Sequence, residues 1–120
     1  MIDPGKVRLM ALTTAVEDYS GFYELIWELN GKYPAASDSE KLEISQLVLS
    51  ELFDQGLVEL FFAVWSPSSY DPIESDGPAV ISHPSSWQPP SETPGATYYA
   101  FAANGGRPIR MLLALAGRFR

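Results

Sequence analysis

Between Gly21 and Asn30 the apolar residues recur at helical intervals. Phe22, Leu25, Ile26 and Leu29 stand at i, i+3, i+4 and i+7, while Glu24 and Glu28 fall on another side. The pattern predicts a core helix over about residues 18 to 30, with Asn30-Gly31 as a left-handed stop and Tyr33-Pro34 barring its resumption. Upstream, the run Leu9 to Val16 suits a shorter helix over 7 to 16. Downstream, Ser37-Asp38-Ser39-Glu40 is an S-x-x-E capping box that satisfies orphan N–H groups at a helix start. Leu42, Leu49 and Phe53, flanked by Val48 and Leu52, give that helix one broad apolar face, and Gly56 ends it.

The period then changes. "LVELFFAVW", Leu57 to Trp65, is a near-continuous apolar run of β-favouring side chains and reads as a strand. Alternation assigns Val58, Leu60, Phe62 and Val64 to the core and Phe61, Ala63 and Trp65 to the opposite face, where water is a poor partner and a cover is expected. "ATYYAFAA", Ala96 to Ala103, reads as a second strand, antiparallel to the first and broken by Asn104-Gly105-Gly106. Pro108 suits the first turn of a C-terminal helix with Ile109, Leu112, Leu113 and Ala116 as its apolar positions.

Residues 66 to 96 hold seven prolines and eight serines with no helical period. Each proline removes a backbone donor, which disfavours both helix and central strand. Tyr70, Ile73, Ala79-Val80-Ile81 and Trp87 are more apolar material than a flexible linker needs, so the expectation is a partly ordered flap lying on the outer face of the strand.

With 120 residues and 46% hydrophobic side chains, the chain suits one core. It contains no cysteine, which excludes disulfides, thiolate metal sites and covalent cysteine chemistry. Lys6 and Arg8 ahead of Leu9 to Val16 imitate a secretion leader, but the run is eight residues long and meets Glu17-Asp18. No apolar stretch approaches the roughly 20 residues of a membrane span. The expectation is a soluble, cytoplasmic protein that does not engage membranes.

Net charge changes the picture more than composition does. Residues 1 to 106 carry Lys6, Arg8, Lys32 and Lys41 against all fifteen acidic residues, a balance of −11, while the last fourteen add Arg107, Arg110, Arg118 and Arg120 with no acid. Arg107, Arg110 and Arg118 fall within one arc of the C-terminal helix, where they either anchor phosphate or pair with the protein's own acids.

The order helix, helix, capped helix, strand, long turn, strand, helix resembles the winged-helix domain, in particular PadR-like and MarR-like bacterial regulators. "VLSELFDQGLVEL", Val48 to Leu60, is similar to the join between a recognition helix and its wing. "YYAFAANGGRPIRMLL", Tyr98 to Leu113, is similar to the returning wing strand and terminal helix, and "GFYELIWELN", Gly21 to Asn30, contains a Tyr-Glu-Leu-Ile that PadR-like helices carry elsewhere in their order.

The resemblance implies an α+β, mainly α fold: one winged-helix domain over 1–120, with a three-helix core, a two-stranded antiparallel wing, a C-terminal helix and a Pro/Ser-rich insertion at 66–96. It also implies a transcription regulator that binds duplex DNA through Lys41, Gln46, Ser50, Arg107, Arg110 and Arg118 and dimerises through the C-terminal helix. The chain departs from the pattern in the short interval between Tyr33 and Ser39, in the wing insertion, and in the surface of the recognition helix.

That surface gathers Glu40, Glu43, Leu47, Ser50, Glu51 and Asp54. DNA-reading helices draw much of their affinity from Lys and Arg neutralising phosphates, and four carboxylates oppose this. The alternative is a winged-helix interaction module that meets a basic protein through Glu40, Glu43, Leu47, Glu51 and Asp54, with Phe61, Trp65 and Trp87 as its aromatic part. A solvated acidic face without a partner also fits.

No catalytic arrangement stands out. His83 is the single histidine, so no two-histidine metal site exists, and Ser82, Ser85 and Ser86 nearby belong to no G-x-S-x-G elbow. Phosphate-cradling, dinucleotide-binding and H-E-x-x-H motifs are absent, and the expectation is a protein that is not an enzyme and uses no cofactor. Tyr19, Phe22, Tyr23, Trp27 and Trp65 either line a small-molecule pocket or pack the core.

Overall fold

The computed structural model of the chain describes residues 2–104. The predicted C-terminal helix, with Arg107, Arg110 and Arg118, lies outside the described residues. The first helix, α1 (Pro4–Glu17), begins three residues before the expected start because Asp3 accepts a hydrogen bond from Gly5 N at 2.9 Å and Pro4 occupies the first helical position. Residues 18–21, expected to be helical, are not. Ser20–Gly21 form a short strand, β1, and α2 (Phe22–Lys32) starts after it, with Gly21 N–H donating to Glu24 Oε1 at 2.6 Å. Asn30-Gly31 does not stop α2. The helix ends at Tyr33, which precedes Pro34 and so is pushed out of the α region, to φ −132° and ψ 62°.

The third helix, α3 (Asp38–Asp54), is capped as its sequence predicts, with Ser37 Oγ accepting from Glu40 N at 3.1 Å. Its exit is a Schellman motif. Gly56, at φ 73°, donates to Phe53 O at 3.0 Å, and Leu57 N donates to Leu52 O at 3.0 Å. Only a residue at ease with positive φ closes this turn without strain, and it launches β2 (Val58–Val64) directly from the helix end.

The predicted pairing of the two long strands is present: β2 runs antiparallel to β4 (Thr97–Ala103), with Val58 opposite Ala103 and Val64 opposite Thr97. The sheet is wider than a two-stranded wing. β3 (Ser69–Pro72) adds to the outer edge of β2, and β1 adds to the far edge of β4, giving the antiparallel order β1-β4-β2-β3. Pro72 is tolerated because β3 is an edge strand.

One sheet face meets α1, α2 and α3. Val58, Leu60 and Phe101 pack there with Val7, Leu12, Phe22, Leu25, Leu29, Leu49 and Leu52. Phe62 lies on the same face beside Tyr99 but is exposed rather than part of the expected core, and Val64 is half-buried. Phe61 and Ala63 are buried on the other face with Ala100, against Tyr70, Tyr98 and Ala102. The predicted alternation therefore holds, and the predicted cover exists.

Tyr70 of the flap lies on the outer face as expected, but the flap beyond β3 is placed otherwise. After β3 it turns to the helical side, forming α4 (Gly77–Ser82) and a 3₁₀ turn at Pro84–Trp87. Ile81 and Trp87 enter the main core. Trp87 is thus part of the core, not of an interaction face, because its indole N–H finds an internal acceptor in Ile81 O at 2.8 Å. The outer face is covered by Tyr70 of β3 together with Tyr19, whose ring meets Phe61 edge-on at 5.0 Å and stacks on Tyr70 at 3.8 Å. Among the described residues no helix is long and apolar enough to cross a membrane.

Candidate functional site

α3 presents its polar residues in three settings. Lys41 is only 5% exposed, and its Nζ donates to Asn30 Oδ1 at 2.9 Å. Gln46 Nε2 donates to the backbone oxygens of Ile81 (3.3 Å) and Ser82 (3.1 Å), so it anchors the flap. Ser50 is half-buried. Of the helix residues expected at a duplex, two are therefore engaged inside the fold. The packing is close: a Cβ on Gly77 of α4 would lie 2.5 Å from Phe53 Cζ of α3, so α4 sits directly on this side of the helix.

The outward stripe of α3 is different in character. Glu43, Leu47, Glu51 and Asp54 are exposed and Glu40 is half-buried, at spacings that align them along one side. Leu47, 50% exposed, sits with Ile2, Glu40, Glu43 and Ile44 around a shallow groove of about 260 Å³. At the far end Arg8 lies 3.7 Å from Glu51 and also donates to Gln55 Oε1, so this carboxylate is partly answered. Phe61, expected in an interaction face, is buried on the sheet and cannot contribute to this stripe.

A second surface lies across the sheet and α2. Tyr23 meets Tyr98 edge-on at 5.6 Å, and the Tyr98 and Tyr70 hydroxyls are 3.4 Å apart. Burial first, then the hydrogen bond to Tyr70, pushes the Tyr98 phenol well above its ordinary range. Tyr23 moves the same way, through burial and then the nearby Glu24 carboxylate. Beside this cluster Trp27 stands exposed and lines two grooves. One, of about 420 Å³, includes Thr14, Tyr19, Glu24 and Glu28; the other, of about 330 Å³, is lined by Tyr23, Trp65, Pro89, Pro90, Ser91 and Glu92 as well.

Of the aromatic residues considered from the sequence, Tyr23, Trp27 and Trp65 are thus brought together, Tyr19 lies across Trp27 from them, and Phe22 is fully buried. Nothing in the sequence marks Pro89 to Glu92, because their approach to Trp65 depends on how the flap returns. Trp65 N donates to Ala96 O at 2.8 Å and Gly95 N donates to Trp65 O at 2.9 Å, which draws the end of the flap alongside.

His83 has a local explanation. Its Nδ1 accepts from Ser85 N at 3.2 Å and meets Ser85 Oγ at 2.8 Å, capping the 3₁₀ turn. Comparison with known proteins finds no matching family, no matching curated protein and no matching solved structure.

Proposed function

We propose that this chain is a protein-interaction domain on a winged-helix type of scaffold, and that the outward stripe of α3 takes a basic partner. The element order supports the scaffold. Three helices, the third of them capped, precede two long antiparallel strands, with β1 and the flap elements added to that order, and on this reading α3 would stand where a recognition helix does. A winged helix that reads DNA turns cations to the groove; this one turns Glu40, Glu43, Leu47 and Asp54 outward.

The observation that carries the reading is the placement of Lys41 and Gln46. The buried lysine and the flap-bound glutamine leave α3 nothing basic to present, while the apolar Leu47 among carboxylates matches a lysine- or arginine-bearing amphipathic segment.

Charge reversal tests it. A labelled amphipathic peptide rich in lysine and arginine is titrated with the wild type, with Glu43→Lys/Asp54→Lys, and with Asp71→Lys/Glu74→Lys, whose sites are exposed in and near β3. The expected result is at least about a tenfold loss for the α3 pair, more than 1.4 kcal/mol, and little change for the β3 pair. Equal losses in the two variants would show non-specific attraction to an acidic body and would remove α3 from the account.

A further inference from the structure

The groove between α2, the end of β2 and the returning flap carries features that an interaction through α3 does not explain. Trp27 is 57% exposed and Trp65 is 38% exposed, and both face the same groove as Tyr23. Tyr23 and Trp27 meet at 4.9 Å with their planes 80° apart, so their rings form a corner. Trp65 supplies a further aromatic wall, and Pro89 and Pro90 close the side with rings that bring no donors. The volume, about 330 Å³, is at the small end of the range for ligand sites, roughly 300 to 1,000 Å³.

Electrostatics decides what such a corner takes. Aromatic faces are negative, and a cation within about 6 Å of a ring centroid is attracted to them. Glu92 lines the same groove, and Glu24 and Glu28 line the second groove that Trp27 borders. Among the described residues, no lysine or arginine lines either groove. An anion is repelled here, and a neutral apolar ligand makes no use of the carboxylates.

Shape then separates the cations. A planar guanidinium stacks flat on one ring or between parallel rings, whereas walls at right angles enclose a rounded group. From this arrangement we infer that Tyr23, Trp27, Trp65 and Glu92 form a binding site for a quaternary ammonium group, held by the three aromatic walls and neutralised by the carboxylate. Quaternary ammonium lacks N–H donors, which suits walls that offer few acceptors apart from Glu92.

The three tryptophans make the test specific, because each gives its own indole N–H signal in a proton–nitrogen correlation spectrum and Trp87 is buried with its N–H bonded to Ile81 O. Choline is titrated into the full chain, alongside its neutral isostere 3,3-dimethylbutan-1-ol, guanidinium, and sodium at matched ionic strength. The site predicts saturable shifts of the Trp27 and Trp65 signals with choline, a still Trp87 signal, and weaker responses to the other three. Trp27→Ala should weaken choline by roughly threefold to thirtyfold, the factor one ring face accounts for. Glu92→Gln should weaken it by roughly twofold to fivefold.

An unchanged Trp87 signal in each variant shows that the fold is kept. A short peptide bearing trimethyl-lysine is titrated in parallel, and whichever of it and choline binds tighter names the source of the group. Equal shifts with the neutral isostere would reduce the groove to an apolar surface and overturn the proposal. So would a preference for guanidinium, or the absence of any saturable shift.

Discussion

Lys41 shows how far a single side chain departs from its default. Lysines are almost never buried unpaired, so a lysine on a helix reads as a surface cation, and nothing local to Ser39-Glu40-Lys41-Leu42 signals otherwise. Its burial is set by α2, eleven residues upstream, which brings the Asn30 amide to its ammonium. Asn30→Ala should therefore destabilise the fold by about 1 to 3 kcal/mol, since it leaves a buried ammonium without its acceptor. Lys41→Met, which keeps the stem and removes the charge, should remain within about 1.5 kcal/mol of wild type. Urea unfolding of both variants checks the pair; a harmless Asn30→Ala would mean that Lys41 reaches water. Tyr23 and Tyr98 give a second test at this scale. Their phenols are raised above the ordinary value of 10.0, so the folded state holds these protons after the unfolded chain has released them. Their contribution to stability is fully present below about pH 10 and is lost as pH rises beyond it. In a tyrosinate absorbance titration these two should ionise above pH 10, and Tyr98→Phe should remove a late step. Ionisation of all tyrosines together near pH 10 would contradict the buried cluster.

At the scale of elements, the features that were legible in the sequence are those specified locally. The Ser37 cap, the Gly56 turn and the pairing of the two apolar strands each rest on a few adjacent residues of special chemistry. What was not legible depends on distant partners. β1 is two residues long and has no period to read; it is a strand because Ser20 and Gly21 lie beside Phe101 and Ala100. The flap contains apolar residues in quantity, but their alternation does not say which side of the sheet they reach. Trp87 and Ile81 decide it by entering the core, and Gln46 holds α4 against α3. Trp87→Ala should cost about 3 to 5 kcal/mol through the cavity it leaves, whereas Trp87→Phe should cost about 1 kcal/mol, mainly the lost N–H bond. Limited proteolysis reports the same contrast, with cleavage within 66–96 accelerated in the alanine variant. Equal resistance of wild type and Trp87→Ala would mean that the flap is held by something other than this ring.

For the whole molecule, charge is the property on which the two readings that the sequence left open differ most. The chain carries fifteen acids against eight basic residues, a net charge of −7. Four of the eight are Arg107, Arg110, Arg118 and Arg120, and of the other four Lys41 is buried and Arg8 is drawn to Glu51 and Gln55. Duplex DNA presents one negative charge per roughly 1.7 Å, and an acidic body approaching it meets repulsion that falls only as salt is added. A basic peptide meets the opposite field, strongest at low salt. The most direct measurement is fluorescence anisotropy with a labelled random duplex and a labelled basic amphipathic peptide, each titrated with the full chain at low and near-physiological salt. The account predicts peptide binding that weakens with salt and no duplex binding at either condition. Duplex binding at low salt that falls steeply as salt is added would contradict it and favour the DNA-binding reading instead.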